Sequence, residues 1–141
     1  MMEKPETEKF VYLSIQKTTV IKNPSVLVVD DDPDLLEMVN LVLSNAKMKV
    51  DCIDDGAGLF ASVARVQPDI IVMDIFLGDT DGRSLCYSLK TSDNFKAIPV
   101  ILYSAGIISK ESIYSSCADA FLLKPFNIDE LIKKINGLIK N

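Results

Sequence analysis

Six polar or charged side chains stand at the ends of apolar runs in this chain, where their chemistry can be combined. They are Asp30, Asp31, Asp32, Asp74, Ser104 and Lys124. Carboxylates are ligands that Mg²⁺ prefers, and a carboxylate can also attack phosphorus to form an acyl phosphate. A hydroxyl and an ammonium group suit the oxygens of a phosphoryl group. If the apolar runs are parallel strands, these groups meet at one sheet edge and predict a site for a metal ion and a phosphate.

The four aspartates differ in what their positions allow. Gathered carboxylates repel one another unless a cation lies among them, so we expect a divalent ion such as Mg²⁺. Asp30 and Asp31 are the better candidate ligands, because Asp32 precedes Pro33 and can cap the helix that starts there. Asp74, in the middle of the predicted sheet, can be both ligand and nucleophile. Each residue alone also has a structural explanation, as a helix cap, a turn former or a solvated charge.

Apolar strand-like runs alternate with segments of helical periodicity from residue 26 onward. The predicted strands are 26–29, 49–53, 70–73, 100–103 and 120–123. The predicted helices are 33–46, 58–66, 83–91, 109–116 and one that begins at Asn127. This alternation predicts an α/β fold with a parallel sheet covered by helices on both faces. Right-handed crossovers place all carboxyl ends of the strands at one edge, where such sheets bind ligands.

Two segments do not follow this alternation. Residues 75–82 are predicted as a loop with a turn at Asp81-Gly82. Residues 1–23 are assigned to an N-terminal extension, and 24–141 to the domain. Within the extension, residues 10–15 and 18–21 are apolar enough for strands, which leaves a tail, an added edge strand and a dimer arm open as interpretations.

Composition excludes several classes of function. The 141 residues are 48% hydrophobic and 25% charged, as in a globular domain. A net charge of -5 without a basic run argues against direct binding of nucleic acid. The first residues are too polar for a signal peptide and no apolar run is long enough for a membrane span, so we expect a cytoplasmic protein with reduced cysteines. The chain contains no histidine, so a phosphoryl group must reach it from another molecule.

Four motifs of this sequence resemble those of the receiver domain of two-component response regulators, the CheY-like superfamily. They are VVDDDP at 28–33, PDIIVMD at 68–74, IPVILYSA at 98–105 and LKPF at 123–126. Together these motifs are highly specific, and the resemblance covers about residues 24–140. It implies a flavodoxin-like (βα)5 fold, a doubly wound parallel sheet of five strands in the order 2-1-3-4-5.

The resemblance also implies roles for the acidic residues. Asp74 is expected to be the phosphoacceptor, and Asp30 and Asp31 the acidic pair that holds Mg²⁺. Asp74 itself and the backbone carbonyl of Phe76 are expected to complete the protein ligands of the ion.

Further residues match positions that contact the phosphoryl group or respond to it. Ser104 matches the hydroxyl that follows the phosphoryl group, and Lys124 the lysine that contacts it. Phe121 matches the aromatic residue whose rotamer reports activation. The chain departs from the common pattern at Gly78, where a proline is usual, and we expect a more mobile loop there.

Phe76 and Gly106 lie two residues after Asp74 and Ser104 respectively. In receivers these two positions influence the attack of water on the acyl phosphate. Neither side chain here can hydrogen-bond a water molecule, and Phe76 is expected to shield the phosphorus. We therefore expect slow self-dephosphorylation.

The function expected from these observations is a stand-alone switch. A histidine kinase or a histidine phosphotransfer protein donates the phosphoryl group, and the signal leaves by binding an unidentified protein, since only Lys140 and Asn141 follow the last predicted helix. A phosphorylation-dependent homodimer is one form that this output can take. Such a domain promotes only its own phosphorylation and dephosphorylation, so we do not expect an enzyme.

Three alternatives remain open at this point. The chain can be a receiver module of a larger hybrid kinase or regulator, or a degenerate receiver that serves only as a scaffold. A haloacid-dehalogenase-type phosphatase also uses a strand-end aspartate and Mg²⁺, and Asp30 with Asp32 imitates its first motif. That third hypothesis lacks a fourth acidic motif and a cap domain.

Overall fold

The structure, a computed structural model, describes residues 23–139. Most of the predicted extension, including its two apolar segments, lies outside the described residues. Among residues 23–139, no helix combines the length and the apolar character needed to cross a membrane.

The described part of the chain alternates strands with helices, as predicted. Its strands are β1 (Ser25–Val29), β2 (Lys49–Ile53), β3 (Ile70–Asp74), β4 (Phe76–Leu77), β5 (Thr80–Asp81), β6 (Val100–Ser104) and β7 (Ala120–Leu123). Its helices are α1 (Pro33–Asn45), α2 (Leu59–Val66), α3 (Gly82–Lys90), α4 (Lys110–Ser115) and α5 (Ile128–Ile139). The predicted boundaries agree with these to within one residue at each end, apart from the segment 75–82.

Five of the strands form one sheet in the order β2-β1-β3-β6-β7. All four neighbouring pairs are parallel. The predicted order 2-1-3-4-5 is therefore confirmed, because β6 and β7 are the fourth and fifth strands of this sheet. The winding reverses between β1 and β3, and the carboxyl ends of these strands face the crevice in which such sheets bind ligands.

Two apolar layers cover the faces of the sheet. Val26 and Val28 of β1 belong to one core cluster and Leu27 and Val29 to the other, because successive side chains of a strand point to opposite faces. Buried residues of α1 and α5 complete the first cluster, and those of α2 and α3 complete the second. Every residue of β3 and β6 is buried, which explains their continuous apolar sequences.

Aspartates mark the starts of two helices beside the crevice. Asp32 accepts backbone N–H bonds from the first turn of α1 at 3.0 and 3.4 Å, which confirms the predicted N-cap. Asp81 caps α3 by accepting the backbone N–H of Arg83 at 2.8 Å. The prediction of a turn at Asp81-Gly82 was therefore wrong, because Gly82 is the first residue of that helix.

The predicted loop 75–82 contains a small antiparallel hairpin of β4 and β5. Gly78 lies between these strands with a φ of 63°, in the left-handed region that glycine adopts without strain. Gly82, which follows the hairpin, packs tightly against the end of β3. A Cβ atom at this position would overlap the carbonyl oxygen of Asp74 and lie 2.9 Å from Cα of Ile75. The hairpin therefore folds back beside the strand end that carries Asp74.

Candidate functional site

The ends of four adjacent parallel strands bring the predicted site residues to one edge of the sheet. Asp30 directly follows β1, Asp74 ends β3 and Ser104 ends β6. Lys124 follows β7, and its backbone N–H donates to the carbonyl oxygen of Ser104 at 2.9 Å. Side chains that lie up to 94 positions apart in the sequence thus meet in space.

Three carboxylates form an acidic cluster at this edge. One oxygen each from Asp30, Asp31 and Asp74 lies within 4.8 Å of the others. Asp30 and Asp74 are buried, whereas Asp31 is exposed. Asp32 uses its carboxylate to cap α1 instead. A set of oxygen donors with one side open to solvent suits a hard cation that keeps part of its water shell, so these residues fit Mg²⁺.

Lys124 places a positive charge between two of these carboxylates. Its Nζ lies 3.2 Å from Oδ2 of Asp74 and 3.3 Å from Oδ2 of Asp30. Partial burial favours a lower pKa of Lys124, but the two carboxylates outweigh it and raise this pKa above the ordinary value. The ammonium group therefore stays charged. One ammonium group beside three carboxylates leaves the cluster negative, which favours binding of a cation.

Asp74 is contacted on both of its carboxylate oxygens. Oδ1 accepts the backbone N–H of Phe76 at 3.1 Å, and Oδ2 accepts from Lys124. Burial raises the pKa of Asp74, the Phe76 N–H lowers it, Asp30 raises it and Lys124 lowers it, so that the pKa ends above its ordinary value. The protein alone thus compensates the negative charge of Asp74 only in part. A bound cation would supply the remaining positive charge.

Ser104 is completely buried at the end of β6. Its hydroxyl oxygen accepts the backbone N–H of Gly106 at 3.0 Å. A hydroxyl that accepts one hydrogen bond still carries a hydrogen to donate. The residue therefore has the chemistry to contact an anionic oxygen bound at the sheet edge.

Phe76 and Gly106, which are expected to influence the attack of water, contact each other at the rim of the site. The side chain of Phe76 is half exposed, and its ring lies against Gly106. A Cβ atom at Gly106 would lie 3.3 Å from Cε2 of this ring, closer than an ordinary contact. Glycine at this position thus leaves room for the aromatic ring. The Phe76 carbonyl stays a predicted metal ligand.

Phe121 lies in β7, next to the strand that carries Ser104. Its partly buried side chain packs against the apolar layer that contains residues of α2 and α3. It also lines a surface groove of about 530 Å³ together with Lys110, Tyr114 and Ala120. A rotation of Phe121 would therefore alter both the core and the surface beside α4.

Tyr103 is a site residue that the sequence analysis missed. Its hydroxyl donates to Oδ2 of Asp30 at 2.6 Å, and both side chains are buried. Burial and the bond to Asp30 raise the pKa of Tyr103 far above its ordinary value, so the phenol stays neutral and remains a donor. The available signal was a phenol within a run predicted to be buried, since a buried tyrosine hydroxyl usually has a partner.

Comparison with known proteins gives a consistent result. The family described as "Response regulator receiver domain" matches residues 26–136. A curated relative, the DNA-binding dual master transcriptional regulator RpaA of Synechocystis, is 32% identical over 119 residues, which are 83% of this chain and 49% of RpaA. The chain spans about half the length of the curated relatives it matches.

Solved structures show the same fold. A structure described as a response regulator of Chloroflexus aurantiacus superposes with a TM-score of 0.80 at 30% identity, covering 85% of this chain and 100% of the other. The receiver domain of the sensor histidine kinase PA1611 of Pseudomonas aeruginosa gives 0.76 at 25% identity, covering 84% and 99%. That structure holds a magnesium ion in its active-site cleft.

Proposed function

We propose that this chain, which belongs to the response regulator receiver family, is a phosphorylation switch whose acceptor is Asp74. The phosphoryl group comes from a histidine of a partner kinase or phosphotransfer protein, since the chain itself contains no histidine. One observation carries this proposal: Lys124 contacts both Asp30 and Asp74 within a cluster of three carboxylates. A nucleophile, a metal-binding acidic pair and a phosphate-binding cation are thereby combined.

The transfer forms one P–O bond and breaks one P–N bond. A carboxylate oxygen of Asp74 attacks the phosphorus, and the imidazole of the donor leaves with the electron pair of the P–N bond and keeps or takes up a proton. Asp30, Asp31, Asp74 and the carbonyl of Phe76 would hold Mg²⁺, which would supply positive charge that offsets the charge of the phosphoryl group. The donor set of this cluster supports that assignment, and Mg²⁺ is the proposed cofactor.

Lys124 and Ser104 stabilise the product. Lys124 contacts Oδ2 of Asp74 at 3.2 Å, so its ammonium group lies close enough to exchange this oxygen for a phosphoryl oxygen on the same side chain. Exchange of a carboxylate for a more highly charged phosphoryl group strengthens this charge-assisted contact. The hydroxyl of Ser104 donates to another phosphoryl oxygen.

Phosphorylation of Asp74 also changes the surface of the domain. Ser104 moves toward the phosphate and Phe121 turns inward, which favours one of two pre-existing conformations. Because Phe121 lines the groove beside α4, its rotation changes the surface formed by α4, β7 and α5. A protein partner binds that surface in the phosphorylated state, and a second copy of this chain is one such partner.

We propose that the domain comprises residues 24–141, with 1–23 as an extension, and that it does not bind DNA itself. The chain has a net charge of -5 and no basic run, whereas binding to DNA phosphates requires clustered basic residues. RpaA is a DNA-binding protein of which this chain matches 49%. The main alternative is a receiver module of a larger regulator or hybrid kinase, a context in which the receiver domain of PA1611 occurs.

The phosphatase hypothesis is not supported by the position of Asp32. That hypothesis requires Asp30 and Asp32 to act together on a substrate. The carboxylate of Asp32 instead accepts two backbone N–H bonds at the start of α1, and the residue is exposed. Its side chain therefore has a structural role away from the acidic cluster.

Phosphorylation with a defined donor tests the proposed function. The protein is incubated with acetyl phosphate or with phosphorylated histidine kinases, with Mg²⁺ or with EDTA, and the bound phosphoryl groups are counted by intact mass. We expect one group per chain with Mg²⁺, none with EDTA and none in Asp74→Asn. Failure of every donor, or repeated turnover of a simple phosphate ester, would contradict the proposal.

A long-lived phosphorylated state is part of the proposal. Phe76 covers the rim of the site and is 52% exposed, and Gly106 beneath its ring offers no side chain that binds water. Hydrolysis requires water in line with the phosphorus, and both residues leave that water without a hydrogen-bonding partner. The phosphoryl group on Asp74 is therefore lost slowly.

A further inference from the structure

We propose that Tyr103 is a positioning residue that holds Asp30 in the orientation needed for Mg²⁺ binding, which rests on the proposed function of the site. The hydroxyl of Tyr103 reaches Oδ2 of Asp30 at 2.6 Å across 73 positions of sequence. Tyr103 is 1% exposed and Asp30 is 0% exposed, so water does not compete for this bond. The bond therefore restrains the carboxylate from the interior side of the cluster.

The contacts of Asp30 show why this bond matters. Oδ1 accepts the backbone N–H of Asp32 at 2.8 Å, and Oδ2 accepts from Tyr103 at 2.6 Å and from Lys124 at 3.3 Å. The contact with Lys124 is the longer of the two on Oδ2, and the lysine is shared with Asp74. Lys124 must also leave the carboxylates when it contacts a phosphoryl group. Tyr103 is then the partner that continues to hold Oδ2.

The ring of Tyr103 is itself held in place. It packs edge-on against Phe126, with 5.4 Å between ring centroids, and Nζ of Lys124 lies 5.0 Å from its centroid. The ring belongs to the core cluster that includes buried residues of α1 and α5. A donor on a fixed aromatic ring costs little conformational entropy to position. The hydroxyl is thus placed before any metal ion binds.

The backbone of Tyr103 contacts the other side of the site. Its carbonyl oxygen accepts the N–H of Ile75, the residue after Asp74, at 2.9 Å. Tyr103 also directly precedes Ser104 in β6. One residue therefore joins a carboxylate of the metal site, the end of β3 and the strand that carries the phosphate-binding hydroxyl.

Tyr103→Phe tests this role, because it removes the hydroxyl and keeps the ring. Loss of a group that orients a metal ligand commonly weakens metal binding by about 10–100-fold. We expect the dissociation constant for Mg²⁺ to rise by about tenfold or more. Tyr87→Phe is the matched control, because it removes the same hydroxyl from a side chain that is 52% exposed and outside the site.

Binding of MgCl₂ to the unphosphorylated protein is measured by isothermal titration calorimetry for the wild type and both variants. Thermal unfolding in EDTA is measured beside it, because a merely structural hydrogen bond would lower the melting temperature and leave the Mg²⁺ dissociation constant unchanged. Equal constants for wild type and Tyr103→Phe overturn the positioning role while the phosphorylation switch stands. A wild type that binds no Mg²⁺ overturns both.

A second measurement applies if Tyr103→Phe does not fold. The chain contains no tryptophan, so the emission of Tyr103 can be isolated by replacing its other tyrosines, Tyr12, Tyr87 and Tyr114, with phenylalanine. Because the phenol of Tyr103 donates to a carboxylate that is proposed to bind the ion, we expect its emission to change as the ion binds. A change that follows the calorimetric titration supports the proposal, and constant emission overturns it.

Discussion

Gly82 is the position where one added methyl group should most disturb the edge of the sheet that carries Asp74. A Cβ atom there would overlap the carbonyl oxygen of Asp74 and lie 2.9 Å from Cα of Ile75, whereas ordinary contacts begin near 3.4 Å. The neighbours are backbone atoms and cannot rotate away as a flexible side chain does. Relief requires the start of α3 or the end of β3 to move by more than about 0.5 Å, because the contact with Cα of Ile75 is short by that amount and the overlap with the carbonyl oxygen of Asp74 is larger.

The expected cost follows from two opposing contributions. Forcing an extra carbon into a well-packed region usually costs about 1–3 kcal/mol. The movement also stretches the hydrogen bond from the Gly82 N–H to the Ile75 carbonyl, now 2.7 Å, and such a bond contributes about 1 kcal/mol. Alanine is favoured over glycine in a helix by about 0.8–1 kcal/mol, which offsets part of this. We expect Gly82→Ala to lower the free energy of unfolding by about 1–3 kcal/mol.

Urea unfolding followed by circular dichroism at 25 °C, in EDTA, measures this effect. Gly137→Ala is the control, because Gly137 lies within α5 and a Cβ there would meet no heavy atom within 4 Å apart from its chain neighbours and the backbone of its own helix. That variant should be more stable than the wild type by about 0.5–1 kcal/mol, since it gains helix propensity without a clash. If Gly82→Ala were as stable as the wild type, the inference that backbone contact excludes a side chain at this position would be refuted.

Two further predictions concern the lifetime of the phosphorylated state and the charge of the site. Phe76→Asn exposes the phosphorus and adds a side chain that can bind water. We therefore expect the phosphorylated protein to lose its phosphoryl group about tenfold faster, equivalent to about 1.4 kcal/mol of activation free energy. If the decay rate measured by intact mass were unchanged, the shielding role of Phe76 would be contradicted. Asp74→Asn should raise the melting temperature of the metal-free protein at neutral pH. The folded state raises the pKa of Asp74, so it favours the protonated carboxyl group. The stability that the protonated group contributes is complete below the unfolded pKa of about 3.9 and is lost as pH rises through the folded pKa. The higher melting temperature of Asp74→Asn should therefore disappear in acid. If this variant melted at a lower temperature than the wild type at pH 7 in EDTA, the expected direction of the effect would be wrong.

The architecture could be predicted because its signals are local. The apolar runs that became β3 and β6 are buried along their whole length, so neither alternates with polar residues. The order of the strands depended on the resemblance, since periodicity alone does not say which strands are neighbours. Asp81-Gly82 was misread because the same pair serves both turns and helix starts. The bond from the backbone N–H of Arg83 to Asp81 does not distinguish the two, because it joins residues two positions apart and forms in turns as well as at helix starts. The difference lies in the residues that follow, which continue as a helix from Gly82.

The candidate site was predictable to the extent that its residues stand at strand ends. Pro33 distinguishes Asp32 from its two acidic neighbours, because a proline in the first turn of a helix identifies the residue before it as a cap. The buried phenol of Tyr103 indicated that its hydroxyl has a partner, but the sequence did not identify that partner as Asp30, which lies 73 positions away. Its formation requires β1, β3 and β6 to lie side by side with the observed register.

The charge balance of the site connects its structure with its proposed function. Lys124 compensates part of the charge of Asp30 and Asp74, and its own raised pKa keeps it positive. The raised pKa of Asp74 indicates that this compensation is incomplete. A site with enough fixed positive charge would hold Asp74 in a strong ion pair and make it a poor nucleophile. A site with less positive charge would not retain a phosphoryl group. In the function we propose, a divalent ion would supply the remaining positive charge, which would keep Asp74 available for attack and still stabilise the product.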